Sequence, residues 1–355
     1  MHRQPLTQDE AIVGCLLGTA VGDAIGLPGE GLPRTRLNRI YPCIDGHRFI
    51  LGRGMLSDDT EHTILVAQSL IASAGKCDIY TSDLARQLMV WFLGIPAGTG
   101  MATAKACMKL LAGIIPKRSG VFSAGNGPAM RSAIIGVCYG DKPAKMRELV
   151  RASTRITHTD PKAEFGALAV AAAAHASSHH HLSDTFMDRL ADTLGEGGDE
   201  LLRLIQAAHA SAQRKQSTES FANSIGQGHG VSGYVYATVP VALHAWFTHP
   251  QDYAAAIGSV IACGGDTDTT AAIVGAIVGA GVGKAGIRGD WLDGLLEWPR
   301  SVRWIEQLGE RLAAVVRDES PQKQLPVNMP AVLLRNLAFL IVVILHGFRR
   351  LLPPY

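Results

Sequence analysis

Gly264-Gly265-Asp266-Thr267-Asp268-Thr269-Thr270 runs without a break into Ala271-Ala272-Ile273-Val274-Gly275-Ala276-Ile277-Val278. A turn rich in carboxylates and hydroxyls therefore opens a helix, Thr269–Val278, that is apolar on every side. A helix of that kind lies inside a protein. The same 3.6-residue period returns in Glu61–Ala74, Leu84–Phe92, Thr103–Leu111, Met130–Val137, Glu164–Ala176, Leu201–Ala212 and Tyr253–Ala262. Only Tyr234–Val239 alternates like a strand, and Pro240 closes it. Gly, Pro and Asn clusters at Gly94–Gly100, Ser119–Pro128 and Gly226–Gly233 separate the helices. No repeat of fixed period occurs, and the pattern predicts an all-α fold.

Composition fits this reading. Of 355 residues, 33 are Lys or Arg and 31 are Asp or Glu, a net charge of +2, which predicts no dedicated nucleic-acid surface. Hydrophobic residues make up 47% and charged residues 18%, enough apolar content for a large buried core. The six cysteines (Cys15, Cys43, Cys77, Cys107, Cys138, Cys263) form no CxxC pair and read as reduced residues of a cytoplasmic protein.

Both ends carry apolar segments. Ile12-Val13-Gly14-Cys15 has the letters of a lipoprotein cleavage box, but Asp9 and Glu10 precede it where a basic start is needed, so it reads as a first buried helix. Glu319–Pro330 is polar and proline-containing and predicts a linker after a domain spanning 1–318. Segment 331–355 follows. Ala331–Gly347 is apolar but interrupted by Arg335, Asn336 and His346, and Arg349-Arg350 come next. It falls short of a spanning helix and reads as one that docks on the body or on a second subunit, with a membrane-surface anchor as the alternative.

Several familiar motifs fail on context. Gly228-His229-Gly230-Val231-Ser232-Gly233 and Gly281-Val282-Gly283-Lys284-Ala285-Gly286 fit GxGxxG by letter, yet neither follows a strand. Gly283-Lys284 lacks both the first glycine and the hydroxyl of a phosphate-binding loop, and no G-x-S-x-G is present. His179-His180-His181, in a Ser-rich stretch, reads as a solvated loop rather than a ligand set.

Two acidic clusters remain: Ser57-Asp58-Asp59-Thr60-Glu61 and the Asp266–Thr270 turn. Either alone is explained by helix capping, Asp58 with Glu61 resembling a capping box. Together, before two apolar helices, they predict carboxylates converging in a cleft, where mutual repulsion demands cations. Hard oxygen ligands with no nearby Cys or His select Mg²⁺ or Mn²⁺, and shared carboxylates can hold two such ions.

These clusters belong to a longer ordered set: Gly14-Cys15-Leu16-Leu17-Gly18-Thr19-Ala20-Val21-Gly22-Asp23-Ala24-Ile25-Gly26 with Glu30, then Ser57-Asp58-Asp59-Thr60, Gly125-Asn126-Gly127-Pro128-Ala129-Met130-Arg131, Thr157-His158 and Gly264-Gly265-Asp266-Thr267-Asp268-Thr269. In that order, over Ile12 to Leu312, the chain resembles the ADP-ribosylglycohydrolases, which include the dinitrogenase reductase-activating glycohydrolase and the arginine- and serine-ADP-ribose hydrolases. The resemblance implies a compact orthogonal bundle of helices around a central cleft for two Mg²⁺ (or Mn²⁺). It implies that Ser57, Asp58, Asp59, Asp266, Asp268 and Thr269 hold the metals, and that Glu30, Asp59 and Asp268 carry catalysis. Glu30 takes the position of a flap glutamate and is the candidate general acid or base. Gly125, Asn126 and Gly127 match the loop that holds a diphosphate, whose successive N–H groups can form an anion nest. His158 matches a substrate-contact position, and Asp23 a buried structural acid. Phe122, Tyr234 and Tyr236 are candidates to stack on adenine.

The implied activity is hydrolysis of the glycosidic bond between ADP-ribose, released as product, and a protein or small-molecule acceptor. The alternative is a catalytically silent ADP-ribose-binding or structural relative. Two positions depart from the family pattern. Ser57 replaces the usual Thr but keeps the oxygen. Gly98, in Pro96-Ala97-Gly98-Thr99-Gly100, stands where arginine-type hydrolases carry Asp, which leaves serine, O-acetyl or other linkages open.

Overall fold

The N-terminal helix Gln8–Gly26 carries glycine at 14, 18, 22 and 26, every fourth residue and so along one face. That face meets the helix Thr267–Val282 backbone to backbone. A Cβ at Gly14 would stand 2.2 Å from the Gly279 carbonyl oxygen, one at Gly18 2.1 Å from that of Gly275, and one at Gly22 2.2 Å from that of Ala271. No side chain fits at such a distance, which is why glycine recurs there. The pairing is antiparallel, so the end of the first helix lies beside the start of the second. Thr267 Oγ1 fixes this end by donating to the Gly26 carbonyl at 2.7 Å. Nearly every residue of both helices is buried.

The structure, a computed structural model, describes residues 6–180 and 184–351, the side chains of 184 and 185 excepted. Among the described residues it is all α, with nineteen α-helices and only isolated β-bridges. Helices Asp58–Ser73, Ala133–Tyr139, Pro161–Ser178 and Val302–Asp318 pack around the central pair. The N-terminal helix also orients Asp58–Ser73. Asp23 Oδ2 accepts the N–H groups of Ser57 (2.9 Å) and Thr60 (3.2 Å) and the Thr60 hydroxyl, satisfying donors that a helix start leaves open. One helix thus sets the positions of both acidic clusters.

Three sequence expectations change. Tyr234–Val239 is not a strand: Val235–Thr248 is a helix with Pro240 inside it. From Val235 to Val239 the run is buried, and over so few residues a buried helix and a strand carry the same apolar signal. Met130–Val137 is two helices, Gly127–Met130 and Ala133–Tyr139, broken where Arg131 turns inward and is fully buried. Asp58 and Glu61 form no capping box; Ser57 is the N-cap, accepting from Asp59 N–H at 3.3 Å, and Glu61 points to Trp91, Arg300 and Arg335. The stretch 319–330, read as a linker, lies against the body: Leu325 is buried and Gln324 Nε2 donates to Asp83 at 2.7 Å.

Among the described residues, two helices are long and apolar enough to cross a membrane, Gln8–Gly29 and Met329–Arg349. The first is core. The second docks through the residues that interrupt its apolar run. Arg335 Nη2 donates to Glu297 at 2.7 Å, Asn336 Nδ2 to the Gly94 carbonyl at 2.9 Å, and Phe339 packs on Phe49. Its outer face exposes Leu334, Ile341, Ile344, Leu345 and Phe348.

Candidate metal and substrate site

The antiparallel central pair and the Asp23 cap bring the two acidic clusters together at one end of the bundle. Thr269 Oγ1 lies 3.3 Å from Asp59 Oδ2, and Ser57 Oγ donates to the same oxygen at 3.2 Å. Residues 210 positions apart in sequence therefore share one carboxylate. Asp266 joins them from the turn before its helix, its Oδ2 accepting from Asn126 Nδ2 at 2.6 Å. Asn126 is steadied in turn by Thr238 Oγ1 at 3.0 Å. Thr238 lies inside the run read as a strand, and no pattern along the chain places it here.

The electrostatics are those of crowded carboxylates. Burial pushes the Asp59 carboxyl well above the usual range, and Asp23, Asp58 and Asp266 add to it. Burial does the same at Asp268, with Glu30, Asp266 and Asp59 adding, and at Asp58, with Asp23, Glu61 and Glu30 adding. Asp23 is pushed up to about 6 by burial, opposed by its bonds from Thr60 and Ser57. Three oxygens here, Oδ1 of Asp23, Asp59 and Asp268, are buried without a hydrogen-bond partner. Buried acceptors are normally paired, so orphaned carboxylate oxygens among mutually repelling acids fit a cation site. Ser57, Asp58, Asp59, Asp266, Asp268 and Thr269 supply only oxygen, the donor set of a hard divalent ion. Asp23 caps the helix through Oδ2 alone, while its Oδ1 stays without a partner.

Glu30 stands exposed at the mouth, just past the 3₁₀ turn Leu27–Gly29. Gly31 N–H donates to the Gly265 carbonyl (2.8 Å) and Gly265 N–H to the Leu32 carbonyl (2.9 Å), tying Glu30's loop to the Asp266 turn. Partial burial and Asp266 raise its carboxyl, while Arg350 draws it down. Arg350 also donates to the carbonyls of Glu30 (2.7 Å) and Pro28 (2.9 Å), so the C-terminal helix holds this loop.

The Gly125-Asn126-Gly127 loop lies across the cleft over His158. A Cβ at Gly125 would sit 3.2 Å from His158 Nε2, and one at Gly127 3.3 Å from its Cε1. The nest expected of three successive N–H groups is not present as such. Asn126 N–H is committed to the Gly233 carbonyl (3.0 Å) and Gly125 N–H to Ser123 Oγ (3.3 Å). Thr157 Oγ1 accepts from Arg131 at 2.8 Å and lies 2.9 Å from His158 Nδ1, against 3.4 Å to the Thr154 carbonyl. The other ring nitrogen, Nε2, is the one that faces the loop. Burial, then Arg131, lowers the His158 pKa to about 3, so the ring is neutral.

Of the aromatic candidates, Phe122 is 77% exposed and Tyr234 40%, so both can meet a ligand, whereas Tyr236 is buried packing. Gly98 has φ +85°, and a Cβ there would be 3.5 Å from Asp58 Oδ1, which puts the departure from the arginine-type pattern directly over the acids. Reasoning from sequence missed Thr238, Arg300 and Arg335. Only Arg335, a charge inside an apolar helix, carried a visible signal.

The chain is similar to known proteins over most of its length. The chain matches the family model for ADP-ribosylglycohydrolase over residues 4–322, which ends before the C-terminal helix. It is 30% identical over 316 residues to an uncharacterised protein of Archaeoglobus fulgidus, covering 86% of this chain and 96% of that one. It is 27% identical to the ADP-ribosyl-[dinitrogen reductase] glycohydrolase of Rhodospirillum rubrum (82% and 92% covered) and 27% identical to ADP-ribosylhydrolase ARH3 of Gallus gallus (78% and 87%). A solved structure titled ADP-ribosylglycohydrolase-related protein complex superposes with a TM-score of 0.69 at 25% identity, covering 87% of this chain and 99% of the other. With the family match spanning the helices that carry Asp23, Asp59 and Asp268, the chain belongs to the ADP-ribosylglycohydrolases, a family of hydrolases acting on ADP-ribose linkages.

Proposed function

We propose that the protein hydrolyses the glycosidic bond between ADP-ribose and an acceptor on a protein or small molecule, with two Mg²⁺ or Mn²⁺ in the acidic cleft. The observation that carries this reading is the meeting of Asp59 and Thr269 at 3.3 Å, with Oδ1 of Asp59 and Asp268 buried and unpartnered beside them. Ser57, Asp58 and Asp59 would hold the ions from one side, Asp266, Asp268 and Thr269 from the other. The chemistry such ions supply when bound is charge neutralisation, a grip on the distal ribose diol and activation of water.

The chain's own residues do the rest. The edge of His158 and the Gly125–Gly127 loop bind the diphosphate, the glycines allowing close approach. Phe122, and Tyr234 beyond it, offer faces for the adenine. Asn126 orients Asp266. The carboxylates around the cleft stabilise positive charge developing at the anomeric carbon. Glu30, exposed at the mouth yet beside Asp266, is placed to pass a proton between solvent and the reacting centre. With Gly98 over Asp58, the wall lacks an added carboxylate to pair a guanidinium, which favours an O-linked acceptor over arginine.

The test is to incubate the protein and Mg²⁺ with serine-, O-acetyl- and arginine-linked ADP-ribose and to separate free ADP-ribose chromatographically. Release from an O-linked substrate, abolished by Asp59→Asn, is expected. Release from the arginine conjugate alone would overturn the acceptor assignment, and release from none would overturn the hydrolase reading.

A further inference from the structure

A second cluster of ligand-type side chains lies outside the acidic cleft. His175 and His179 stand one turn apart at the end of helix Pro161–Ser178, and Asp141 comes from the turn between Ala133–Tyr139 and Pro143–Thr157. Asp141 Oδ1 is 3.6 Å from His175 Nε2 and 3.9 Å from His179 Nε2, and the three ligand atoms all lie within 4.8 Å of one another. Ligands bonded at about 2.0–2.1 Å to a tetrahedral ion are separated by about 3.4 Å, so small side-chain adjustments close these three around one ion.

The tautomer also fits. His179 Nδ1 lies 3.0 Å from the His175 carbonyl, an acceptor, so the proton sits on Nδ1 and the Nε2 lone pair faces Asp141. A ligating histidine is usually held in this way through its other nitrogen. Asp141 and His175 also line a cavity of about 400 Å³, with Arg147 and Arg189 in its wall, which leaves room for water or a small anion at a fourth position.

We propose that Asp141, His175 and His179 form a binding site for a divalent ion of the zinc type, separate in place and chemistry from the hard-ion cleft. Two imidazoles and one carboxylate select Zn²⁺, Co²⁺ or Ni²⁺ over Mg²⁺. The ion would tie the turn at Asp141 to the end of helix Pro161–Ser178. The histidine run at 179–181 is thus not wholly a solvated loop: His179 belongs to this cluster, its partner four residues earlier and outside the run, while His181 lies outside the described residues.

The full-length protein, freed of metal, is titrated with Co²⁺ and then Zn²⁺ in excess Mg²⁺, following the visible bands of tetrahedral Co²⁺. The expected result is one saturable set of bands, displaced by Zn²⁺ and untouched by Mg²⁺. His175→Ala, His179→Gln and Asp141→Asn should each weaken Co²⁺ binding at least about tenfold. The last two replace exposed or half-exposed side chains and leave the fold intact. Asp268→Asn should leave the bands unchanged, which separates this site from the cleft whether or not the protein is a hydrolase. Absence of bands, bands that persist in His175→Ala, or their loss in Asp268→Asn would each overturn the proposal.

Discussion

Replacing Arg335 by Met tests how the C-terminal helix supports the acidic cleft. Arg335 is 1% exposed. Its Nη2 donates to Glu297 at 2.7 Å and to the carbonyl of Leu56, which directly precedes Ser57; Nη1 lies 3.6 Å from Glu61. Glu61 is bonded by Arg300 and, at 2.6 Å, by Trp91 Nε1. Two acids and two arginines thus cancel in a fully buried patch. Burial alone would raise the Glu61 carboxyl, yet Arg300 and Arg335 hold it below its ordinary value; at Glu297 burial wins despite Arg335, and the carboxyl is raised. Removing one arginine leaves an uncompensated negative charge beside a cleft already crowded with carboxylates. Breaking a buried pair in this way costs about 3–5 kcal/mol, whereas replacing both partners by apolar groups is often near neutral. Urea unfolding at pH 7 should therefore show Arg335→Met destabilised by about that amount, and Arg335→Met with Glu297→Leu recovering more than half of it. A loss below about 1 kcal/mol, or a double variant no better than the sum of the singles, would refute the reasoning.

Two other perturbations reach different parts of the account. Gly18→Ala places a methyl 2.1 Å from the Gly275 carbonyl and should cost about 3 kcal/mol, read as a lowered thermal midpoint; a midpoint like that of the wild type would contradict the backbone-to-backbone pairing. His244 is buried, stacked on Phe221 and bonded to Thr218 and Ser211, and burial, then His249, lowers its pKa to about 4. Between the ordinary value near 6.5 and 4 the unfolded chain takes up a proton that the folded chain refuses, so stability is lost as pH falls. Relative to His244→Gln, the wild type should lose up to about 3 kcal/mol across that window, at about 1.4 kcal/mol per unit. Parallel stability curves for the two proteins would rule this out.

How much was legible in the sequence follows from what each signal depends on. The acids at 58, 59, 266 and 268 were readable because carboxylates beside apolar helix starts need a reason that capping alone does not give twice. The glycines at 14, 18, 22 and 26 stood out as a motif, but their role as a seam against Gly275 and Gly279 depends on a partner far along the chain. Glu61 looked like a capping residue because its arginine is 239 positions away. Tyr234–Val239 reads as a strand because burial from Val235 onward erases the periodicity that separates helix from strand. His179 was judged by its neighbours in sequence, while its neighbours in space are His175 and Asp141.

The central claim is that carboxylates remote in sequence meet to hold divalent ions, and Mn²⁺ titration followed by electron paramagnetic resonance tests it most directly. The wild-type protein should bind about two Mn²⁺ saturably, in competition with Mg²⁺, and Asp59→Asn should lose at least about tenfold in affinity while His179→Gln does not. A wild type that leaves Mn²⁺ free, or an Asp59→Asn variant that binds it as the wild type does, would contradict the account.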